Sequence, residues 1–226
     1  MRKIQRLAYI GAMAAATLTL AACGGTAAPA SSPAASAPAA APMTAAPAAA
    51  DTGVTTNADV FGPACSQLPQ GDAPGSLNNM GPQPVATAAS TNPLLTTLVT
   101  AVKAVPGLPD TLNNTQGITV FAPYNGAFDA VQKQIGAPAF QGLLKDTNKL
   151  GGLLSYHVVG QRYDAKGLVA AGQTTELAGG NLTIGGTADA PTITDGQGNT
   201  AKVLCGNIPT SNATVFVIDR VLMPKS

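Results

Sequence analysis

One histidine, three cysteines and a handful of scattered acids are the residues of this 226-residue chain whose types could do chemistry. His157 stands alone. A lone imidazole can serve as a pH switch or a ligand contact. It can equally be a core histidine hydrogen-bonded at a helix-to-strand junction, and the neighbouring Leu154, Val158 and Val159 favour that second role. Asp129, Asp164, Asp189, Asp195 and Asp219 are spread along the chain. A glycoside hydrolase needs two close carboxylates, and no spacing nominates a pair. A serine hydrolase of the nucleophile-elbow type needs a G-x-S-x-G string, which the sequence lacks. Cysteine–histidine catalysis would need a free thiolate. One His and three Cys are too few for a His-rich or Cys-rich metal centre. Gly196-Gln197-Gly198 lies between short strand-like runs and reads as a hairpin, not a phosphate cradle. The reading is therefore a chain without an enzymatic site and without a cofactor.

The cysteines divide by position. Arg2, Lys3 and Arg6 form a basic start, Leu7 to Leu20 is an uncharged and mostly apolar run, and Leu20-Ala21-Ala22-Cys23 follows. The run is too short to span a bilayer, which takes about 20 residues. It fits a cleaved export signal over residues 1–22. The small residues before Cys23 resemble the bacterial lipoprotein box, in which the cysteine thiol receives a diacylglycerol. The alternative is an ordinary secretory signal with a chance cysteine; the ordered co-occurrence of basic start, apolar run and small residues favours lipid attachment. The expected partner of Cys23 is thus a membrane, since each buried CH₂ contributes about 0.8 kcal/mol. Removal of the signal leaves 9 Lys+Arg against 11 Asp+Glu. Neither balance provides a basic field for nucleic acid.

In an exported chain the remaining two cysteines, Cys65 and Cys205, suggest one disulfide. Two buried thiols or a redox pair are the alternatives, the latter disfavoured because redox pairs sit as C-x-x-C. A bridge across so long a loop has a nominal stabilisation of about 5 kcal/mol at most. It would pin a segment rich in Gly, Pro, Asn and Asp that has little else to hold it.

The elements around these residues come late in the chain. Residues 26–50 contain 14 Ala and 5 Pro, and no charge appears between Arg6 and Asp51. Prolines every four or five residues stop any helix from propagating, so this stretch reads as a disordered tether. The division expected is a signal at 1–22, a lipidated tether at 23–58, a disulfide-pinned extension at 59–87 and a folded domain at 88–226. Within the domain, Asn92-Pro93 is a helix start, with Asn as N-cap and Pro at the first helical position. Leu108 to Asn114, a helix after Asn125 (read as its cap), Ala139 to Leu144 and Lys149 to Tyr156 read as further helices. Ile118 to Ala122 is a buried-strand run. After His157 the runs Thr174–Leu177, Leu182–Ile184, Thr192–Thr194, Ala201–Cys205 and Thr214–Leu222 are strand-like, with Gly185-Gly186 and Asp195 to Gly198 as turns. Helices first and strands later give an α+β fold. Asn113, Asn181 and Asn212 each open an N-x-[ST] triplet, about as many as chance would give.

Three strings in order resemble the fasciclin domain: Ile118-Thr119-Val120-Phe121-Ala122-Pro123-Tyr124-Asn125-Gly126-Ala127-Phe128, then Leu154-Ser155-Tyr156-His157-Val158-Val159, then Ala213-Thr214-Val215-Phe216-Val217-Ile218-Asp219-Arg220-Val221-Leu222-Met223-Pro224. Tyr124 departs from the Thr or other small polar residue frequent at that place. With the signal, the Ala/Pro tether and the Cys65 segment, the chain resembles mycobacterial fasciclin-domain lipoprotein antigens, a likeness that also supports a Cys65–Cys205 bridge. The resemblance implies a single α+β domain with helices around a sheet wedge. It implies recognition through the region of Tyr156 and His157, with Tyr124 and Asn125 as further candidate contacts.

The expected function is that of an exported, lipid-anchored or shed, monomeric surface protein. It would adhere to a surface or host protein or glycan. The alternative is a carrier or sensor of a small apolar envelope ligand, motivated by the low charge of 10%.

Overall fold

A computed structural model describes residues 53–225. The export signal, Cys23 and most of the tether lie outside the described residues. The strands are β1 (Ile118–Pro123), β2 (Val158–Val159), β3 (Gln173–Thr175), β4 (Asn181–Thr187), β5 (Ala190–Thr194), β6 (Thr200–Pro209) and β7 (Ala213–Ile218). They form one sheet in the order β2-β1-β7-β6-β5-β4-β3. The fold is α+β, as the sequence suggests.

The two hydrophobic strings lie side by side. β1 and β7 run parallel, with Val120 opposite Val215 and Phe121 opposite Phe216. Both strands are buried at every position, as expected for β-branched and aromatic strings at the centre of a sheet. Alternation sends their side chains to two different cores. Val120, Ala122, Val215 and Val217 face the helices. Phe121, Phe216 and Ile218 face a second core shared with Leu168, Leu182 and Ile193. The sheet curls around this second core until its edges nearly meet. Val159 of β2 bridges to Glu176, and the Leu177 N–H donates to Val158 O at 2.8 Å. This curl covers strand edges that would otherwise be open for pairing.

The helices are α1 (Leu77–Met80), α2 (Val85–Thr91), α3 (Thr96–Ala104), α4 (Leu108–Asn114), α5 (Asn125–Ile135), α6 (Ala137–Lys145), α7 (Thr147–Ser155) and α8 (Ala165–Ala171). Seven of these eight cover the first core, and α8 packs against the second through Ala165 and Leu168. Asn92 caps as expected, its side chain accepting the Leu94 N–H at 3.0 Å, but Pro93–Leu95 form a 3-10 turn and α3 starts only at Thr96. Gly185-Gly186 is not a turn. It lies within β4, which runs on to Thr187 because β5 pairs with it as far as Ala190.

Cys65 and Cys205 are bonded. The extension carries far more than loop: α1, α2 and two 3-10 turns precede Asn92. Phe61 pairs with Gly206 as an isolated bridge on β6. A local rule is broken at Asn207, a non-glycine residue at φ 58° in an irregular stretch of β6. Its side chain accepts the Ala165 N–H at 2.8 Å, at the start of α8, and donates to Asp59 O at 3.1 Å. One left-handed asparagine thus holds both the last helix and the N-terminal extension.

Candidate functional site

Tyr156 and His157 follow α7 directly, where the chain turns into β2. Both are 2% exposed. This burial corrects the expectation of an exposed recognition face at the pair, while His157 takes the core role that its apolar neighbours favour. The turn places Tyr156 in the second core, and it sets His157 between the Leu153 carbonyl of α7 and the Leu222 N–H of the C-terminal tail.

Every side-chain polar atom of the pair has an internal partner. Nδ1 of His157 lies 2.7 Å from Leu153 O, a carbonyl that can only accept, so Nδ1 carries the proton. Nε2 then accepts the Leu222 N–H at 2.9 Å. Burial lowers the pKa of His157 from 6.5 to about 4, although the Leu153 carbonyl and the Asp195 carboxylate favour its protonation. The imidazole is neutral at physiological pH. The Tyr156 hydroxyl accepts the Gly196 N–H at 2.7 Å. Burial raises its pKa; the Gly196 bond opposes this, and the Asp195 and Glu176 carboxylates add to it.

Two buried acids complete the cluster. Asp195 Oδ1 accepts the N–H groups of Gln197 at 3.0 Å and Asn199 at 2.8 Å, which shapes the β5–β6 hairpin. Its Oδ2 accepts the Met223 N–H at 2.9 Å. Glu176 accepts the N–H groups of Ala178 and Gly180 in the tight turn after β3. His157 and Asp195 therefore act together as a clasp on the tail at Leu222 and Met223. The expected hairpin at Gly196-Gln197-Gly198 is present.

Asn125 and Tyr124 lie elsewhere. Asn125 does not cap its own helix; Tyr124 occupies that position without a side-chain bond. The Asn125 side chain reaches across to α3 instead. Its Oδ1 accepts the Thr97 N–H at 3.0 Å and its Nδ2 donates to Pro93 O at 3.0 Å. It satisfies a first-turn donor of α3, whose own N-cap Leu95 offers no side-chain acceptor. The Tyr124 ring folds back over Gly126, where a Cβ would collide with the phenol.

His157 also lines the inner end of an apolar slot between α2, α3, α4 and β1. Ala86 and Ala89 form one wall and Leu98, Val99 and Val102 another, with Lys103 at the margin. The cavity volume is about 60 Å³, against roughly 300 Å³ or more for a preformed ligand pocket. Of the other acids named above, Asp164 caps α8, its side chain accepting the Gly167 N–H at 2.8 Å. Among the described residues no cluster of three or more His, Cys, Asp or Glu could hold a metal ion. Asn212 is 1% exposed, so its triplet is a structural element; its side chain donates to Leu112 O at 2.7 Å and accepts the Val85 N–H at 2.9 Å. Sequence reasoning missed the Asp195 clasp because its partners are backbone groups far along the chain, which leave no signal in residue type.

A family model described as the fasciclin domain matches residues 93–224. The cell surface glycolipoprotein MPB83 of Mycobacterium bovis is 41% identical over 175 residues, covering 74% of this chain and 73% of that protein. The immunogenic protein MPT70 of Mycobacterium tuberculosis is 38% identical over 177 residues, covering 74% of this chain and 83% of that protein. Among solved structures, a domain pair from the insect cell adhesion molecule Fasciclin I aligns with a TM-score of 0.54 at 18% identity, over 62% of this chain and 51% of that one. This chain thus spans about half of the insect structure, and the likeness is one of fold.

Proposed function

Because this chain belongs to the fasciclin-domain family, we propose that it is an exported, lipid-anchored surface protein that acts by adhesion to a protein or glycan. The observation that carries this reading is its 41% identity to a cell surface glycolipoprotein over most of both chains. The polar groups with catalytic potential are spent on folding, which accords with a binding role: both nitrogens of His157 and both oxygens of Asp195 hold backbone. Cys23 is the lipid-bearing residue, residues 1–22 the signal, and the Ala/Pro stretch a spacer from the membrane. A coil of that length spans roughly 30 Å.

The test is affinity capture with the intact membrane-anchored protein, followed by crosslinking and identification of what is bound. Reproducible capture of one surface component supports the reading; a clean protein that captures none overturns it. Intact-mass measurement of the same sample reads the diacylglycerol on Cys23, and Cys23→Ala is expected to move the protein to the soluble fraction.

One observation favours the second reading, the apolar slot beside His157. Its resting volume means that an acyl chain would enter only if Val99 and Val102 swing outward. Native mass spectrometry checks it: a co-purifying lipid lost in Ala89→Leu, which fills the slot, supports carriage.

A further inference from the structure

We propose that the cleft between α5 and the C-terminal tail binds a neutral saccharide, an inference that rests on the surface-recognition reading and names its site. The cleft has a volume of about 500 Å³, within the roughly 300–1,000 Å³ of small-ligand sites. It differs from the apolar slot in composition. Gln134 comes from α5, Gln197 from the β5–β6 hairpin, and Asp219 and Arg220 from the end of β7. The buried side chains of Val131 and Val221 line it as well, and Tyr124 forms one wall.

The hydrogen-bonding capacity left over in this cleft is what selects the ligand. Asp219 uses Oδ1 for the Lys202 N–H at 2.8 Å, leaving Oδ2 as an acceptor. Gln197 donates to Pro224 O at 3.2 Å, leaving its carbonyl oxygen. The one ion pair among the described residues is Lys149–Asp146, so Arg220 has no carboxylate partner there. Gln134 can both donate and accept. A site with an acceptor-only group, a donor-only group and amides of both kinds matches neighbouring hydroxyls, each of which donates and accepts. The charges of Asp219 and Arg220 cancel, which favours a neutral ligand over an anion or a cation. The valines and the Tyr124 ring suit the C–H face of a sugar.

The experiment uses the full-length protein in detergent on an array of neutral hexose and pentose oligosaccharides, acidic oligosaccharides and peptides. The variant is Gln134→Ala with Arg220→Ala, both exposed, and its unchanged thermal midpoint serves as the folding control. The expected result is binding to neutral saccharides, weakened at least tenfold in the variant. Failure to bind any saccharide at millimolar concentration, preference for acidic saccharides or peptides, or binding unchanged in the variant overturns the proposal. Capture of a surface component that survives in the variant leaves the adhesion reading standing while this inference falls; loss of all capture by the unaltered protein removes both.

Discussion

The imidazole of His157 accepts the backbone N–H of Leu222 at 2.9 Å, across 65 residues of sequence. The bond fastens the C-terminal tail over the mouth of the curled sheet. It exists only for the neutral ring, because a protonated Nε2 would be a donor facing a donor.

Stability is therefore expected to depend on acid. The pKa of His157 is about 4 in the folded chain and 6.5 ordinarily. The unfolded chain takes up the proton first as pH falls, so the stability present in full above about pH 6.5 is lost progressively towards pH 4. The loss amounts to about 3 kcal/mol. Urea denaturation at pH 7, 5.5 and 4 measures it, and His157→Gln is expected to flatten the dependence while lowering stability at pH 7.

The bond between Cys65 and Cys205 closes a separation of 140 residues. Paired Cys65→Ala and Cys205→Ala replacement is expected to lower stability by about 2–5 kcal/mol. The first region to open would be the extension ahead of Pro84, whose other ties include the Phe61–Gly206 bridge, the Asn207 bond to Asp59 and the burial of Leu68 and Met80. Hydrogen exchange of the unaltered protein and the paired variant, compared residue by residue, reads both the size and the place of the change.

Asn212 joins three elements that are distant in sequence, the start of α2, the end of α4 and the turn before β7. Asn212→Ala would leave buried backbone groups without partners, each costing about 1–3 kcal/mol. A total loss of about 3 kcal/mol or more is expected in chemical denaturation. Peptide mapping of the exported protein should find no glycan on this residue.

Asn125→Ala tests a cap supplied from another helix. Loss of the bonds to Thr97 and Pro93 is expected to cost about 1 kcal/mol, the usual worth of an N-cap. Exchange protection should fall in the first turn of α3 and stay unchanged in α5; the opposite pattern would return Asn125 to its own helix.

Much of the scaffold is legible in the sequence because it depends on local pattern. Ile118 to Ala122 and Thr214–Leu222 read as strands, and Leu108 to Asn114 reads as a helix with the same limits that the fold gives it. α8 was not legible. Its seven residues are short for a periodic signal, and its start is secured partly by Asn207, 42 residues later. The helices of the extension were hidden for a similar reason. Their stability comes from packing and the disulfide, while their composition is that of loops.

The sequence by itself determined the family and the α+β class, since each rests on residue types in order along the chain. Tertiary structure decided what the polar residues do. Exposure and hydrogen-bond partners come from segments far apart, so only the fold could bury Tyr156 against the β5–β6 hairpin and join His157 with Asp195 as a clasp on the tail. Only the fold could likewise bring Gln134, Gln197, Asp219 and Arg220 to one cleft, because the helix, the hairpin and the tail that carry them converge through long-range packing.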